Sequence, residues 1–124
     1  MVSASLNTYR QSPRKVRLIA GLIQKKSIEE ALAILQFSPK DASDAVRKLL
    51  NSALANAREN TELLKENLYV KSMTVNQGVT LRRSMPRARG SAFPIKKRTS
   101  HITLVLDTKD NVRIKKDKNS NTKY

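Results

Sequence analysis

The chain has 124 residues, 39% of them hydrophobic, enough for one domain with a modest core that buries roughly two thirds of the surface its unfolded form exposes. Its 25 Lys and Arg against 10 Asp and Glu give a formal charge of +15, a field that attracts polyanions and makes nucleic acid the leading partner. The absence of Cys excludes disulfides and thiolate metal sites, and the single His101 leaves little for an imidazole site. No apolar run approaches the roughly 20 residues of a membrane span, and no signal-peptide core follows Met1, so the expectation is a cytosolic chain without metal, cofactor or membrane span.

The charge is unevenly distributed. Residues 1–26 hold six basic and no acidic residues, 27–66 hold five basic and seven acidic, and 67–124 hold fourteen basic and three acidic. A near-neutral middle therefore separates two basic flanks, a pattern that a charge serving only solubility would not need. The middle reads as scaffold.

From the N-terminus, Val2, Ala4 and Leu6 alternate with Ser3, Ser5 and Asn7, the period of a short half-buried strand. Ser12 and Pro13 then supply an N-cap and a first-turn proline, and Val16, Ile19, Ala20 and Ile23 mark one face of a helix. Arg14, Lys15 and Arg17 crowd the N-terminal end of that helix, where the macrodipole disfavours cations. Either they form an ordinary solvated face or an external anion rewards them. A second helix starts at Ser27 with Glu30 as its capping-box partner and carries Ile28, Ala31, Leu32 and Leu35. Glu29 and Glu30 suit the dipole; as neighbours on a helix they point to different sides and make no catalytic pair. Ser38, Pro39 and Asp41 predict the start of a third helix, whose apolar series Ala42, Ala45, Val46, Leu49, Ala53 and Ala57 reaches about Asn60. The small side chains at Ala53, Ala55 and Ala57 predict close packing against a neighbour.

After a connector at 61–67, Leu68 to Val79 reads as a strand with Tyr69, Met73 and Val75 inward, and Ile102, Leu104 and Leu106 alternate in a return strand. Between them, residues 80–100 carry Arg82, Arg83, Arg87, Arg89, Lys96, Lys97 and Arg98 with no acidic residue, interleaved with Met85, Pro86, Phe93, Pro94 and Ile95. Nothing in that segment can pack a core, so it reads as the end of a protruding basic hairpin. About ten residues per arm would carry it roughly 30 Å from the domain. The expected organisation is a single domain over 1–107, including the hairpin 80–100, followed by a basic mobile tail over 108–124 anchored only by Val112 and Ile114.

No catalytic constellation emerges. Ser100 and His101 are adjacent, but neighbours in a strand face opposite sides and no acid stands nearby, so His101 is structural or a phosphate contact. Three glycines could scarcely build a phosphate-binding loop. The four basic residues from Arg82 to Arg89 are all Arg, whose planar fork pairs with phosphate and stacks on bases. With Phe93 the one aromatic of the hairpin, phosphate and shape recognition should dominate over stacking.

Four runs carry a resemblance: SPRKVRL at Ser12–Leu18, NSALANA at Asn51–Ala57, MPRARG at Met85–Gly90 and KKRTSHI at Lys96–Ile102. In this order and spacing, across about residues 2–107, they resemble the bacterial and organellar large-subunit ribosomal protein twenty-two family. The resemblance implies an α+β fold, three helices packed on a small three-stranded antiparallel sheet with a long protruding β-hairpin. It also implies a non-catalytic structural constituent of the large ribosomal subunit, located in the cytoplasmic or an organellar ribosome, that binds large-subunit rRNA and supports its assembly. Its partners would be that rRNA, neighbouring large-subunit proteins, and the nascent polypeptide in the exit tunnel, which the hairpin tip would line near the macrolide site. By motif, Ser12, Arg14, Lys15 and Arg17 would contact rRNA from the domain. Arg82, Arg83, Arg87, Arg89, Lys96, Lys97 and Arg98 would contact it from the arms, and Arg89, Gly90 and Ser91 would form the tunnel tip. Many relatives carry a basic residue where this chain has Ser91. The rival reading is an architectural DNA-binding protein whose β-ribbon enters a groove.

Overall fold

The computed structural model describes residues 1–62 and 65–109. The first strand, β1 (Val2–Tyr9), turns into helix α1 (Pro13–Ile23), followed by α2 (Ile28–Phe37) and α3 (Ala42–Thr61). Strands β2 (Leu68–Gln77), β3 (Leu81–Pro86), β4 (Ala92–Lys97) and β5 (Ser100–Thr108) complete an α+β arrangement that has, among the described residues, three α-helices and five strands in two antiparallel sheets. One sheet has the order β1-β5-β2, and the other is the pair β3-β4.

Strand β5 is the centre of the domain. Ile102, Leu104 and Leu106 are each fully buried on its helix-facing side, while Thr103 is exposed on the other, so strict alternation gives a one-sided sheet. Helix α3 packs chiefly over β1, α1 over β2, and α2 against both helices. The apolar stripes read from the sequence meet there: Val16, Ile19 and Ile23 of α1, Ile28 and Leu35 of α2, and Val46, Ala53 and Ala57 of α3 are all essentially inaccessible to water. Leu50, also fully buried, joins them on α3 although the sequence reading passed over it. Ala55, by contrast, is exposed, and close approach rests on Ala53 and Ala57 alone.

The ends of the helices differ in how well sequence signals foretell them. At α2 the Ser27 hydroxyl accepts a hydrogen bond from the Glu30 N–H at 3.4 Å, as a capping box requires. Ser12 flanks α1 with extended backbone, but its hydroxyl makes no cap bond; its carbonyl instead accepts from Lys15 and Val16. The third helix starts later than Ser38 and Pro39 suggest. Proline disfavours helical backbone in the residue before it, and Ser38 accordingly closes α2 in an extended conformation, leaving Asp41 as the residue that leads into α3, without a side-chain cap.

A bulge explains the misassigned face of β2. The register with β5 shifts between Val70 and Ser72, so Leu68 and Val70 before the bulge and Met73 and Val75 after it all point into the core, and Tyr69 is only half-buried. Beside the bulge Lys71 lies 3.6 Å from the buried Asp107 carboxylate. Thr108, the first residue of the expected tail over 108–124, belongs to β5, and the remainder of that tail from residue 110, with Val112 and Ile114, lies outside the described residues.

The basic hairpin is not a continuation of the β2-β5 ladder. Strand pairing in the central sheet ends at Gln77 and Ser100, and the second sheet begins at Leu81 and Lys97, so each arm has six residues and spans about 20 Å. Between the two sheets lies a neck of Gly78–Thr80 and Arg98–Thr99. It is held by the Gly78 N–H donating to the Thr99 carbonyl at 2.9 Å and by the Thr99 hydroxyl donating to the Val79 carbonyl at 2.6 Å. A Cβ on Gly78 would lie 2.5 Å from Thr99 Oγ1 and 3.1 Å from His101 Nε2. Thr99 is buried and stiff, so Gly78→Ala is expected to cost about 1–3 kcal/mol as the neck shifts. Thermal unfolding of the variant measures it, and an unchanged melting temperature would show that the neck yields freely.

Candidate nucleic-acid interface

The two basic flanks of the sequence converge at the base of the arm. Arg10, Gln11, Ser12 and Lys15 come from the β1-α1 connection and the first turn of α1, and Lys96, Lys97, Arg98 and Thr99 from the end of β4 and the neck. Together they line a cleft of about 620 Å³ whose walls carry five cations and no acid. Like charges gathered in a concavity raise the local potential well above that of the same charges spread over a convex surface. A second cleft of about 500 Å³, lined by Thr8, Arg10, Val79, Leu81, Arg83 and Thr99, also borders the neck.

Arg10 belongs to both clefts, and the sequence reading missed it. Its only signal was membership of the acid-free first 26 residues, because it stands outside every element with a recognisable period. The remaining predicted residues are distributed differently. Arg14 is exposed on α1 and does not line either cleft. Arg17 is turned toward the sheet, where its guanidinium donates two hydrogen bonds to the Val75 carbonyl, at 3.3 and 3.1 Å. That contact ties α1 to β2, so Arg17 has a structural duty as well as a charge. His101 likewise has a structural contact, its Nδ1 accepting from the Thr8 N–H at 3.0 Å. Thr8 has a φ of 55° at the β1 irregularity, and the imidazole receives the amide that the broken ladder would leave unpaired.

The arm itself is two-faced. Antiparallel partners share a face, so Leu81 with Lys97, Arg83 with Ile95 and Met85 with Phe93 lie on one side, and Arg82 with Lys96, Ser84 with Pro94 and Pro86 with Ala92 on the other. The first face is an apolar strip crossed by cations, and the Arg87 guanidinium lies 5.7 Å from the Phe93 ring centroid. The second face sets Arg82 directly opposite Lys96, a like-charge pair that destabilises an isolated ribbon. Nearly every arm residue is exposed. Pro86 and Pro94 are tolerated because each strand has an open edge, and they prevent that edge from recruiting another strand.

At the far end, the Arg87 N–H donates to the Ser91 carbonyl at 2.9 Å and the Ser91 hydroxyl to the Ala88 carbonyl at 2.9 Å. Arg89 and Gly90 both adopt positive φ, 61° and 69°. Glycine takes that conformation freely and arginine does so at a cost of about 1 kcal/mol, so the turn is tight and its arginine is held outward by backbone geometry. Arg89, Gly90 and Ser91 thus occupy the connection between β3 and β4.

The acidic side chains lie elsewhere. Asp41 and Asp44 line a groove with Tyr9, Lys48 and Ser52, and burial, followed by the two carboxylates, raises the Tyr9 phenol above its ordinary value. Among the described residues no group of three His, Asp or Glu could hold a metal, and no helix is long and apolar enough to cross a membrane.

Comparison with known proteins accords with this arrangement. Residues 4–107 match the family model described as ribosomal protein L22p/L17e. The large ribosomal subunit protein uL22 of Lactobacillus gasseri is 53% identical over 107 residues, covering 86% of this chain and 92% of the relative. The protein of the same name from Lactobacillus delbrueckii subsp. bulgaricus is 55% identical over 103 residues, 83% of this chain and 88% of its own length. The Deinococcus radiodurans uL22 is 54% identical over 102 residues, 82% of this chain and 76% of its own length. A match across the whole α+β domain and both arms of the hairpin establishes that the chain belongs to the ribosomal protein L22p/L17e family.

Proposed function

We propose that this chain binds large-subunit rRNA through the basic cleft and the arm, supports the folding of that RNA during assembly, and lines the nascent-peptide exit tunnel with the turn at Arg89, Gly90 and Ser91. As a member of its family it is a structural ribosomal protein and not an enzyme, a constituent of the large subunit. The observation that carries the RNA reading is the cleft, where Lys15 and Ser12 of the N-terminal segment meet Lys96, Lys97 and Arg98 of the hairpin. Segments far apart in sequence and brought to one concave, acid-free surface suit a backbone that presents phosphates along a curve. Arg14 and the exposed guanidinium groups of Arg82, Arg83 and Arg87 extend the same surface along α1 and the arm.

In this reading the dipole conflict at α1 is resolved, because phosphate at the helix start compensates cations that the helix alone would not favour. The exposed like-charge pair Arg82 and Lys96 is neutralised in the same way. Neighbouring large-subunit proteins and the emerging peptide complete the list of partners, the latter meeting the positive turn, where Ser91 contributes a hydroxyl and no charge.

Sedimentation of large subunits through high-salt washes tests the assignment. The chain is expected to remain with the particle at salt concentrations that strip loosely held proteins, since many phosphate contacts act together. Its release from the particle with retention on duplex DNA would favour the architectural DNA-binding reading instead.

A further inference from the structure

The neck and the cleft are one structural unit. The arm joins the domain through Gly78–Thr80 and Arg98–Thr99, and β3 and β4 pack principally on each other. Thr99, only 3% exposed, is the anchor, and it lines both clefts together with Arg10. One wall of the larger cleft belongs to the domain, with Arg10 and Lys15, and the other to the base of the arm, with Lys96, Lys97 and Arg98.

We propose that this cleft is a multi-phosphate site whose occupancy fixes the direction of the arm. Without a ligand the two walls repel, because each is positive and no acid lies between them. The arm then swings about Thr99, restrained by the two hydrogen bonds of the neck and the close fit of Gly78 against Thr99 and His101, while β3 and β4 bring no side chain to the buried core. An anion carrying several adjacent phosphates replaces that repulsion with attraction to both walls and draws them together. A single phosphate cannot neutralise five cations, whereas successive phosphates of a bent nucleic-acid backbone, or of an inorganic polyphosphate, can bridge the cleft. The cavity has room for more than one such group with water, and the Ser12 hydroxyl, which makes no cap bond, stands in it as a further donor. The ligand shifts the arm only by its differential affinity for the closed cleft, and the spread of cations over two walls that move relative to each other supplies that difference.

The physiological ligand, a bend in rRNA, rests on the RNA-binding reading; the mechanical coupling of cleft and arm does not. The sequence lacks cysteine, so a pair of spin labels can be placed without background on the full chain as Ala55→Cys in α3 and Ala92→Cys in β4, both exposed. The inter-label distance distribution, measured by pulsed electron paramagnetic resonance, is expected to be broad in the free protein. It should narrow about twofold on saturation with inorganic tripolyphosphate, but not with sodium chloride at equal ionic strength. Lys15→Gln combined with Lys97→Gln, one change on each wall, should abolish the narrowing, while Lys40→Gln outside the cleft should leave it intact. An equally broad distribution with and without tripolyphosphate overturns the proposal, as does narrowing that survives the double variant. Binding of large-subunit rRNA without narrowing overturns the coupling alone, and narrowing by tripolyphosphate without any binding of that rRNA supports the coupling and overturns the RNA reading alone.

Discussion

Truncating Arg82, Arg83, Arg87 and Arg89 together to alanine is expected to weaken binding to deproteinised large-subunit rRNA by about a hundredfold or more, and to make the dependence of log affinity on log salt shallower by about two to three. All four side chains are exposed and the domain core lies elsewhere, so circular dichroism should report an unchanged fold. The loss follows from counterion release: each phosphate neutralised by a cation frees roughly 0.7 to 0.9 counterions, and the missing guanidinium groups of Arg82, Arg83 and Arg87 leave those ions on the RNA. Filter binding across a salt series gives the slope directly. Single variants refine the result, because Arg82 and Arg83 lie on β3 whereas Arg87 and Arg89 lie in the connection to β4. Arg82→Ala should lower the slope by about one, while Arg89→Ala should leave it nearly unchanged if that side chain meets the emerging peptide and not phosphate. An unaltered slope for the quadruple variant would show that the arm faces solvent or tunnel along its whole length, and the rRNA-binding role would then fall to the cleft alone.

The second large effect concerns the domain. Leu104 sits at 0% exposure in the middle of the central strand, in register with Ala4 on one side and Met73 on the other. Leu104→Ala is expected to lower stability by about 2–5 kcal/mol, the transfer term plus an unfilled cavity under α1 and α3. A domain of this size has about 5–15 kcal/mol in all, and self-repulsion from a charge of +15 draws on the same reserve, so the variant should be marginal at low salt and recover partly when salt is added. Urea unfolding followed by circular dichroism at two salt concentrations measures both parts. A loss below about 1 kcal/mol would show that the neighbours collapse into the space.

Much of the scaffold could be read from the chain because local and global signals agree there. In α1, α2 and β5 the residues that set the periodicity, such as Val16, Ile28 and Leu104, are the buried ones. The misreadings have specific causes. The helix start read at Ser38 lies too early, because Pro39 holds the residue before it out of helical backbone and α3 begins only after Asp41. At Tyr69 a period of two was carried across a bulge that no residue type announces. Charge and flanking strands announce the hairpin, but the close fit of Gly78 against Thr99 and His101 at its neck is a tertiary contact with no one-dimensional trace. The same holds for the cleft. Lys15 and Lys97 could each be suspected alone, whereas their sharing of one cavity, and the part that Arg10 takes in it, follows only from how β1 and β5 pair.

The sparse packing of the arm also bears on how such a protein can change over generations. Because β3 and β4 contribute no side chain to the buried core, residues can be added to or removed from the segment between Leu81 and Lys97 without altering what keeps the domain folded. Selection can therefore set the reach of the arm and the chemistry of its turn as quantities separate from thermal stability. The neck marks where that freedom ends, since Gly78, Thr99 and His101 fit together too closely for either side to drift alone.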